Sequence, residues 1–166
     1  MKPTLQEHLS RELGYGLLLA ATVLTMIVLT GGVWLDKIEA RRAAERVADL
    51  RCLAENVYYE ARGEPLVGQY AVAEVTMNRV AAREFGNSVC EVVHQRGAFS
   101  WTYESEPAAP FGYEWRRAQA VASTVYDSRE APLVNGALYY HAIYVSPEWA
   151  ASRQQVALIG MHLFYL

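Results

Sequence analysis

The sequence predicts an α+β chain: a mostly helical domain with a small antiparallel sheet, preceded by one N-terminal transmembrane helix. Three observations predict it. Leu13 to Leu35 carries no charge. Apolar residues then recur at three- and four-residue steps, the period of a helix with one buried face. Short β-prone runs, GALYYHAIYV and VALIGMHLFYL, come last, with Gly160 as a turn between strands.

Taken in order, residues 1–12 form an N-terminal tail. Residues 13–35 are apolar on every face and, at about 1.5 Å per residue, long enough for a hydrocarbon core of about 30 Å. A signal peptide has a shorter apolar region and a small-x-small cleavage site, whereas Trp34-Leu35-Asp36 follows here. Residues 36–46 lack an apolar stripe and read as a charged helical stalk. The globular domain spans 47–166. Its first helix buries Val47, Leu50, Ala54, Val57 and Ala61 and is ended by Gly63 and Pro65. A second helix is expected over 67–83, with Val67, Tyr70, Ala71, Val75 and Val80 inward, and a short third over 88–95. The aromatic stretch from Arg96 to Trp115 has no sustained period and reads as a loop. A further helix over 114–128 turns Trp115, Ala118, Ala122 and Val125 to one side.

Charge excludes one class of function. With 15 basic and 18 acidic side chains the net charge is −3, so nothing points to a nucleic-acid partner. The basic residues favour a cytoplasmic domain, since Lys37, Arg41, Arg42, Arg46 and Arg51 follow the span and only Lys2 and Arg11 precede it. The two cysteines, Cys52 and Cys90, oppose this if they pair, because a disulfide persists in an oxidising compartment. As cytosolic thiols they would be inert and buried. The conflict is resolved here toward the cysteines.

The chemistry concentrates in ENVYYEARGEP, Glu55 to Pro65. Glu60 follows Val57, Tyr58 and Tyr59 at the end of its helix, where burial and the helix C-terminal dipole both favour the protonated acid. A carboxylic acid that keeps its proton near neutral pH is what protonation of a glycosidic oxygen requires. A surface ion pair with Arg62 or Arg79 is the alternative. Glu64 and Glu74 are the local candidates for a second carboxylate. For a metal-dependent peptidase the histidines His94, His141 and His162 would be needed, and none falls in a ligand spacing such as H-E-x-x-H. No metal and no cofactor is expected.

CLAENVYYEARGEPLVGQYAVAEVTMNRV, then SVCEVVHQRGAFSW, GALYYHA, VSPEWA and IGMHLFY, resemble the SleB-like cell-wall hydrolases of the spore-cortex-lytic type. The resemblance covers nearly all of residues 50–166, and not the membrane segment or stalk. It implies a lysozyme-like fold, with Glu60 as the catalytic acid. The implied activity is cleavage of peptidoglycan glycan strands between N-acetylmuramic acid and N-acetylglucosamine, commonly as a lytic transglycosylase. It also implies the Cys52–Cys90 bridge. RGAFSW lacks two further cysteines common in such members, so that loop has no second bridge.

For substrate binding the sequence offers Tyr59, Gln69, Asn78, Phe99, Ser100, Trp101, Tyr140 and His141. Of Tyr139 and Tyr140, alternating on a strand, one is expected to face substrate. Phe99-Ser100-Trp101 is expected to line the cleft rather than fill the core, while Asn78 and Arg79 could simply bind backbone. The expected placement is a single-pass protein of the inner (cytoplasmic) membrane, its span at 13–35 and its catalytic domain in the periplasm; protein partners are unknown. A tethered adaptor that binds glycan without cutting it, and a phage lysis enzyme held by a releasable signal-anchor, are the alternatives.

Overall fold

The computed structural model describes residues 5–103, 107–128 and 132–166, and, of residues 5–14, 16 and 29, the backbone alone. Residues 1–4 of the predicted tail and 104–106 of the predicted loop lie outside the described residues. The chain divides into two compact units, residues 1–45 and 46–166.

Helix α1 runs Leu5–Ala61. Within the first unit its apolar side chains, Leu17, Leu18, Val23, Ile27 and Trp34 among them, are exposed. The hydroxyls of Thr22, Thr25 and Thr30 donate back to the carbonyls of Leu19, Ala21 and Met26 at 2.9, 2.8 and 2.7 Å. That back-bonding leaves no unpaired hydroxyl in these three threonines, which suits an apolar surrounding. The helix is long and apolar enough to cross a membrane by length and composition, a test that a signal sequence near an N-terminus also passes.

In the second unit α1 contributes Leu53, Ala54, Val57, Tyr58 and Ala61 to the core. Val47, expected inward, is 68% exposed, because the buried stripe begins a turn later. Gly63 and Pro65 break the chain into α2 (Leu66–Ala82), where the Pro65 carbonyl accepts from Gly68 and Gln69 N–H at 2.9 and 3.2 Å. Proline has no N–H to leave unpaired at a helix start. Val67, expected inward, is 44% exposed, whereas Ala71 and Val75 are buried. α3 (Val89–Val93) begins at Ser88, whose hydroxyl caps it by accepting from Glu91 N–H at 3.2 Å. The aromatic stretch contains a short 3-10 turn, Ser100–Tyr103, before α4 (Gly112–Asp127) buries Ala118, Val121, Ala122 and Val125.

The sheet is three-stranded and antiparallel: β1 (Tyr139–Ala142), β2 (Gln155–Ile159) and β3 (His162–Tyr165), in the order β1-β3-β2. Tyr140 stands opposite Phe164. Gly160, at φ +57°, turns β2 into β3, and a Cβ there would collide with the Glu64 carboxylate. Two clusters form the core, one around Leu53, Val57, Val89, Trp101 and Val121, the other around Val75, Val134 and Phe164. The Cys52–Cys90 disulfide joins α1 to α3 across 38 residues.

Candidate active site

Glu60 lies in the last turn of α1, on the face that continues Val57 and Asn56 into the domain. The strand β1 brings Tyr140 against it, and the Tyr140 hydroxyl donates to Glu60 Oε2 at 3.0 Å. Glu60 Oε1 has no hydrogen-bond partner among the described residues. Burial pushes the Glu60 carboxyl above its ordinary range, against the opposing pull of the Tyr140 hydrogen bond and the Arg79 charge. Desolvation wins because neither opposing group is a close ion pair. The carboxyl therefore holds its proton to higher pH than a surface glutamate does.

Tyr140 is itself pushed well up by burial and by the Glu60 charge, so it stays a phenol and a donor. Its ring meets His162 edge-on at 5.3 Å and Phe164 at 5.7 Å, which fixes the hydroxyl. Arg79 sits behind the pair. It donates from Nε to the Leu138 carbonyl at 2.7 Å, and its guanidinium lies 5.2 Å from both the Phe85 and the Phe99 ring centres. Burial lowers its pKa from the ordinary guanidinium value, with Tyr140, Tyr139 and Glu60 opposing.

The two other carboxylates are engaged elsewhere. Glu64 Oε2 accepts the Met161 N–H at 2.9 Å, and Oε1 lies 3.6 Å from His162 Nδ1, so Glu64 holds the β2–β3 turn. Burial lowers His162 from its ordinary value, with Glu64 opposing, which keeps the ring largely neutral at pH 7. Glu74 Oε2 accepts the N–H groups of Leu133 and Val134 at 2.8 and 3.1 Å. Burial raises the Glu74 carboxyl too, although those two bonds pull it down. If Glu74 only ties that loop, Glu74→Gln costs about 1–2 kcal/mol of stability and leaves cleavage near the wild-type rate. Denaturant unfolding and an activity assay on the same preparation check both halves.

The expected substrate contacts divide. Tyr59 stacks on Trp101 at 4.5 Å and donates to the Ala108 carbonyl at 2.7 Å, tying the segment before α4 to α1. Phe99 and Trp101 do not line an open cleft: they are 4% and 9% exposed, and Trp101 Nε1 donates to the buried Asn56 Oδ1 at 3.2 Å. The indole N–H needs an acceptor when buried, and Asn56, bonded in turn to Thr76 Oγ1 at 3.1 Å, supplies it. Ser100 is exposed. Gln69 is fully buried and donates to the Glu64 carbonyl at 3.1 Å. Asn78 donates to the Ala137 carbonyl at 3.1 Å, the backbone role anticipated for it and for Arg79. His141 faces away from Tyr140, as strand alternation requires. Its Nδ1 lies 2.9 Å from the Ala142 carbonyl and its Nε2 3.0 Å from the Tyr165 hydroxyl. A carbonyl only accepts, so Nδ1 is the donor to Ala142, which leaves Nε2 to face the Tyr165 hydroxyl.

A groove of about 460 Å³ opens at Arg79 and Tyr140 and is lined further by Tyr139, Trp149, Arg96 and Arg153. A larger one, about 620 Å³, runs between the 47–55 segment of α1 and α4. That one holds Arg51 and Glu55, already paired at 3.0 Å, and none of the groups around Glu60. Of the two, only the smaller groove is lined by Arg79 and Tyr140, the groups that act on Glu60.

A helix-borne carboxyl that burial pushes above its ordinary range accepts a phenol from a facing strand, and that phenol lines an aromatic groove. Residues 63–165 match the Cell Wall Hydrolase family. The chain belongs to that family. It is 32% identical over 116 residues to a spore cortex-lytic enzyme of Bacillus cereus and 34% identical to one of Bacillus subtilis, covering 70% of this chain in each case. It spans only 43% and 37% of those relatives' lengths. Among solved structures it resembles the catalytic domain of the Bacillus cereus SleB protein, at 30% identity and TM-score 0.57, covering 71% of this chain and 89% of that one. It also resembles the catalytic domain of the germination-specific lytic transglycosylase SleB from Bacillus anthracis, at 30% identity and TM-score 0.58, covering 71% and 93%. The mostly helical fold with a small antiparallel sheet is common to them.

Proposed function

We propose that this chain is a membrane-anchored enzyme that cleaves peptidoglycan glycan strands between N-acetylmuramic acid and N-acetylglucosamine, as a lytic transglycosylase with Glu60 as acid and base. The observation that carries the reading is the half-buried Glu60, its carboxyl pushed above the ordinary range by desolvation, with Tyr140 on its Oε2. Family membership and the likeness to the germination-specific lytic transglycosylase of Bacillus anthracis support it.

In this reading Glu60 protonates the glycosidic oxygen from Oε1 as the sugar gains oxocarbenium character. The leaving sugar departs with that proton, and Tyr140 steadies the new carboxylate. The muramic acid C6 hydroxyl then attacks the anomeric carbon and gives its proton to Glu60. A 1,6-anhydro ring results, no water is consumed, and the acid is regenerated. The engagement of Glu64 and Glu74 on backbone N–H groups supports a route with one carboxylate, since hydrolysis calls for two. Tyr140 and Ser100 are the proposed direct contacts. Tyr59, Gln69, Asn78, Phe99, Trp101 and His141 act by holding the walls, within the lysozyme-like arrangement that the resemblance implies. The length and apolar composition of residues 13–35 support an inner-membrane anchor, and the Cys52–Cys90 bridge supports a periplasmic catalytic domain.

The test is to incubate the full chain, purified in detergent, with isolated sacculi and identify the bond that is cut. Release of disaccharide-containing fragments is expected, whereas release of peptides alone would overturn the reading. A pH profile adds a second check. The acid must be protonated, so the rate falls as pH rises through the Glu60 pKa. Tyr140→Phe removes a bond that favours the anion, so this alkaline limb moves to higher pH while the maximal rate drops. A limb that moves down, or stays, would contradict the role given to Tyr140.

A further inference from the structure

We infer that the groove of Arg79, Arg96 and Arg153 binds a carboxylate attached to the lactyl arm of a muramic acid residue, close to the bond that Glu60 cleaves. The inference rests on the glycan-cleaving reading above. Although the chain is net negative, three arginines and no carboxylate appear among the described residues that line this groove. Arg79 has the Glu60 charge within electrostatic reach. Arg96 and Arg153 form no ion pair among the described residues.

Arg153 is held in place by aromatic rings and a backbone oxygen. Its guanidinium centre lies 3.4 Å from the centre of the Tyr139 ring and 5.9 Å from that of Trp149. Its Nη1 donates to the Leu166 carbonyl at 3.3 Å, and its Nε is enclosed with no acceptor. Stacking on aromatic rings holds the planar cation in place, so a ligand meets it already ordered. The exposed Arg96 brings a second cation to the same groove. Two cations lining one groove repel each other, and an anion between them offsets that cost.

The anion must come from a particular part of the substrate. The sugar rings of the strand present only hydroxyl and acetamido groups, which are neutral. Carboxylates occur on the peptide borne by the muramic acid lactyl group, or on the lactyl group itself once the peptide is gone. Arg79 and Tyr140 line the groove and also flank Glu60, so an anion bound there sits beside the reacting bond. Such a contact sets which muramic acid residue enters the site.

The experiment compares the full chain with Arg153→Gln and Arg96→Gln on three preparations of the same glycan strands. One bears peptides, one has had its peptides removed and keeps the lactyl carboxylate, and one has its carboxylates converted to amides. Wild type should cut the amidated strands with a lower kcat/KM than at least one carboxylate-bearing preparation, and which one identifies the source of the anion. That preference should fall about tenfold in Arg153→Gln, as for a partly desolvated charge-assisted pair, and about threefold in Arg96→Gln, as for an exposed one. Should Arg153→Gln fail to fold, the exposed Arg96→Gln decides. Equal kcat/KM on amidated and native strands, or variants that slow all three alike, would overturn the carboxylate site while glycan cleavage stands. A wild type inert on all three would overturn the glycan-cleaving reading and this one together.

Discussion

Glu60→Gln is expected to lower the rate of glycan cleavage by about 10²–10⁴-fold, the usual contribution of a general acid, and to raise the melting temperature at pH 8. The two effects have one cause. Burial raises the Glu60 carboxyl, so the folded chain binds a proton there more tightly than the unfolded chain. Between the unfolded and the folded pKa the folded state therefore binds more protons, and stability falls as pH climbs through that window. Below the unfolded pKa the stability is fully present; above the folded one the whole cost of a buried anion remains. Glutamine carries no charge at any pH and still accepts the Tyr140 hydroxyl. Melting curves at pH 5 and pH 8 should show the variant gaining on wild type as pH rises. A gain that shrinks with pH would contradict the dominance of burial, and an unchanged rate would remove Glu60 from the mechanism.

Loss of the Cys52–Cys90 bridge carries the other large effect. Closing a 38-residue separation stabilises the fold by about 3–4 kcal/mol in the chain-entropy account. Removing it should lower the melting temperature by about 10–15 °C in a domain of this size. Cys52 lies two turns before Glu60 on α1, and the partner helix α3 is only five residues long. Asp49 reinforces the same junction, its Oδ1 accepting Val89 and Cys90 N–H at 3.0 and 3.3 Å. The paired variant Cys52→Ala with Cys90→Ala should thus lose stability without losing Glu60's surroundings at low temperature. Alkylation of thiols in freshly broken cells checks compartment as well: both cysteines should be blocked until a reductant is added. Free thiols in the native cell would remove the support for a periplasmic domain.

Local sequence carried much of this. Strand alternation singles out one of Tyr139 and Tyr140 to face substrate, yet both line the groove, and it is Tyr140 that bonds Glu60. The Gly63 and Pro65 break, the buried stripe of α1 and the Gly160 turn were legible because each is set within a few residues. The period of an apolar stripe does not mark its ends, however, which is why Val47 and Val67 were expected inward. Phe99 and Trp101 were misplaced for a different reason. An aromatic run without helical period resembles a cleft wall, and only the distant Asn56 and Arg79 reveal that these rings are buried partners of the core. Arg96 and Arg153 left no mark at all. They come from segments that meet only when β1 is docked, and no spacing in the chain announces a charge cluster assembled that way. The roles of Glu64 and Glu74 were equally hidden, since each is fixed by backbone N–H groups contributed from far along the sequence.

The most direct test of the central claim is the mass of the fragments that the full chain releases from purified sacculi. A single carboxylate acting first as acid and then as base predicts products lighter by one water than reducing muropeptides, closed as 1,6-anhydro rings. Reducing ends would contradict it, because water would then be the nucleophile and a second carboxylate would have to leave its backbone partners to activate it.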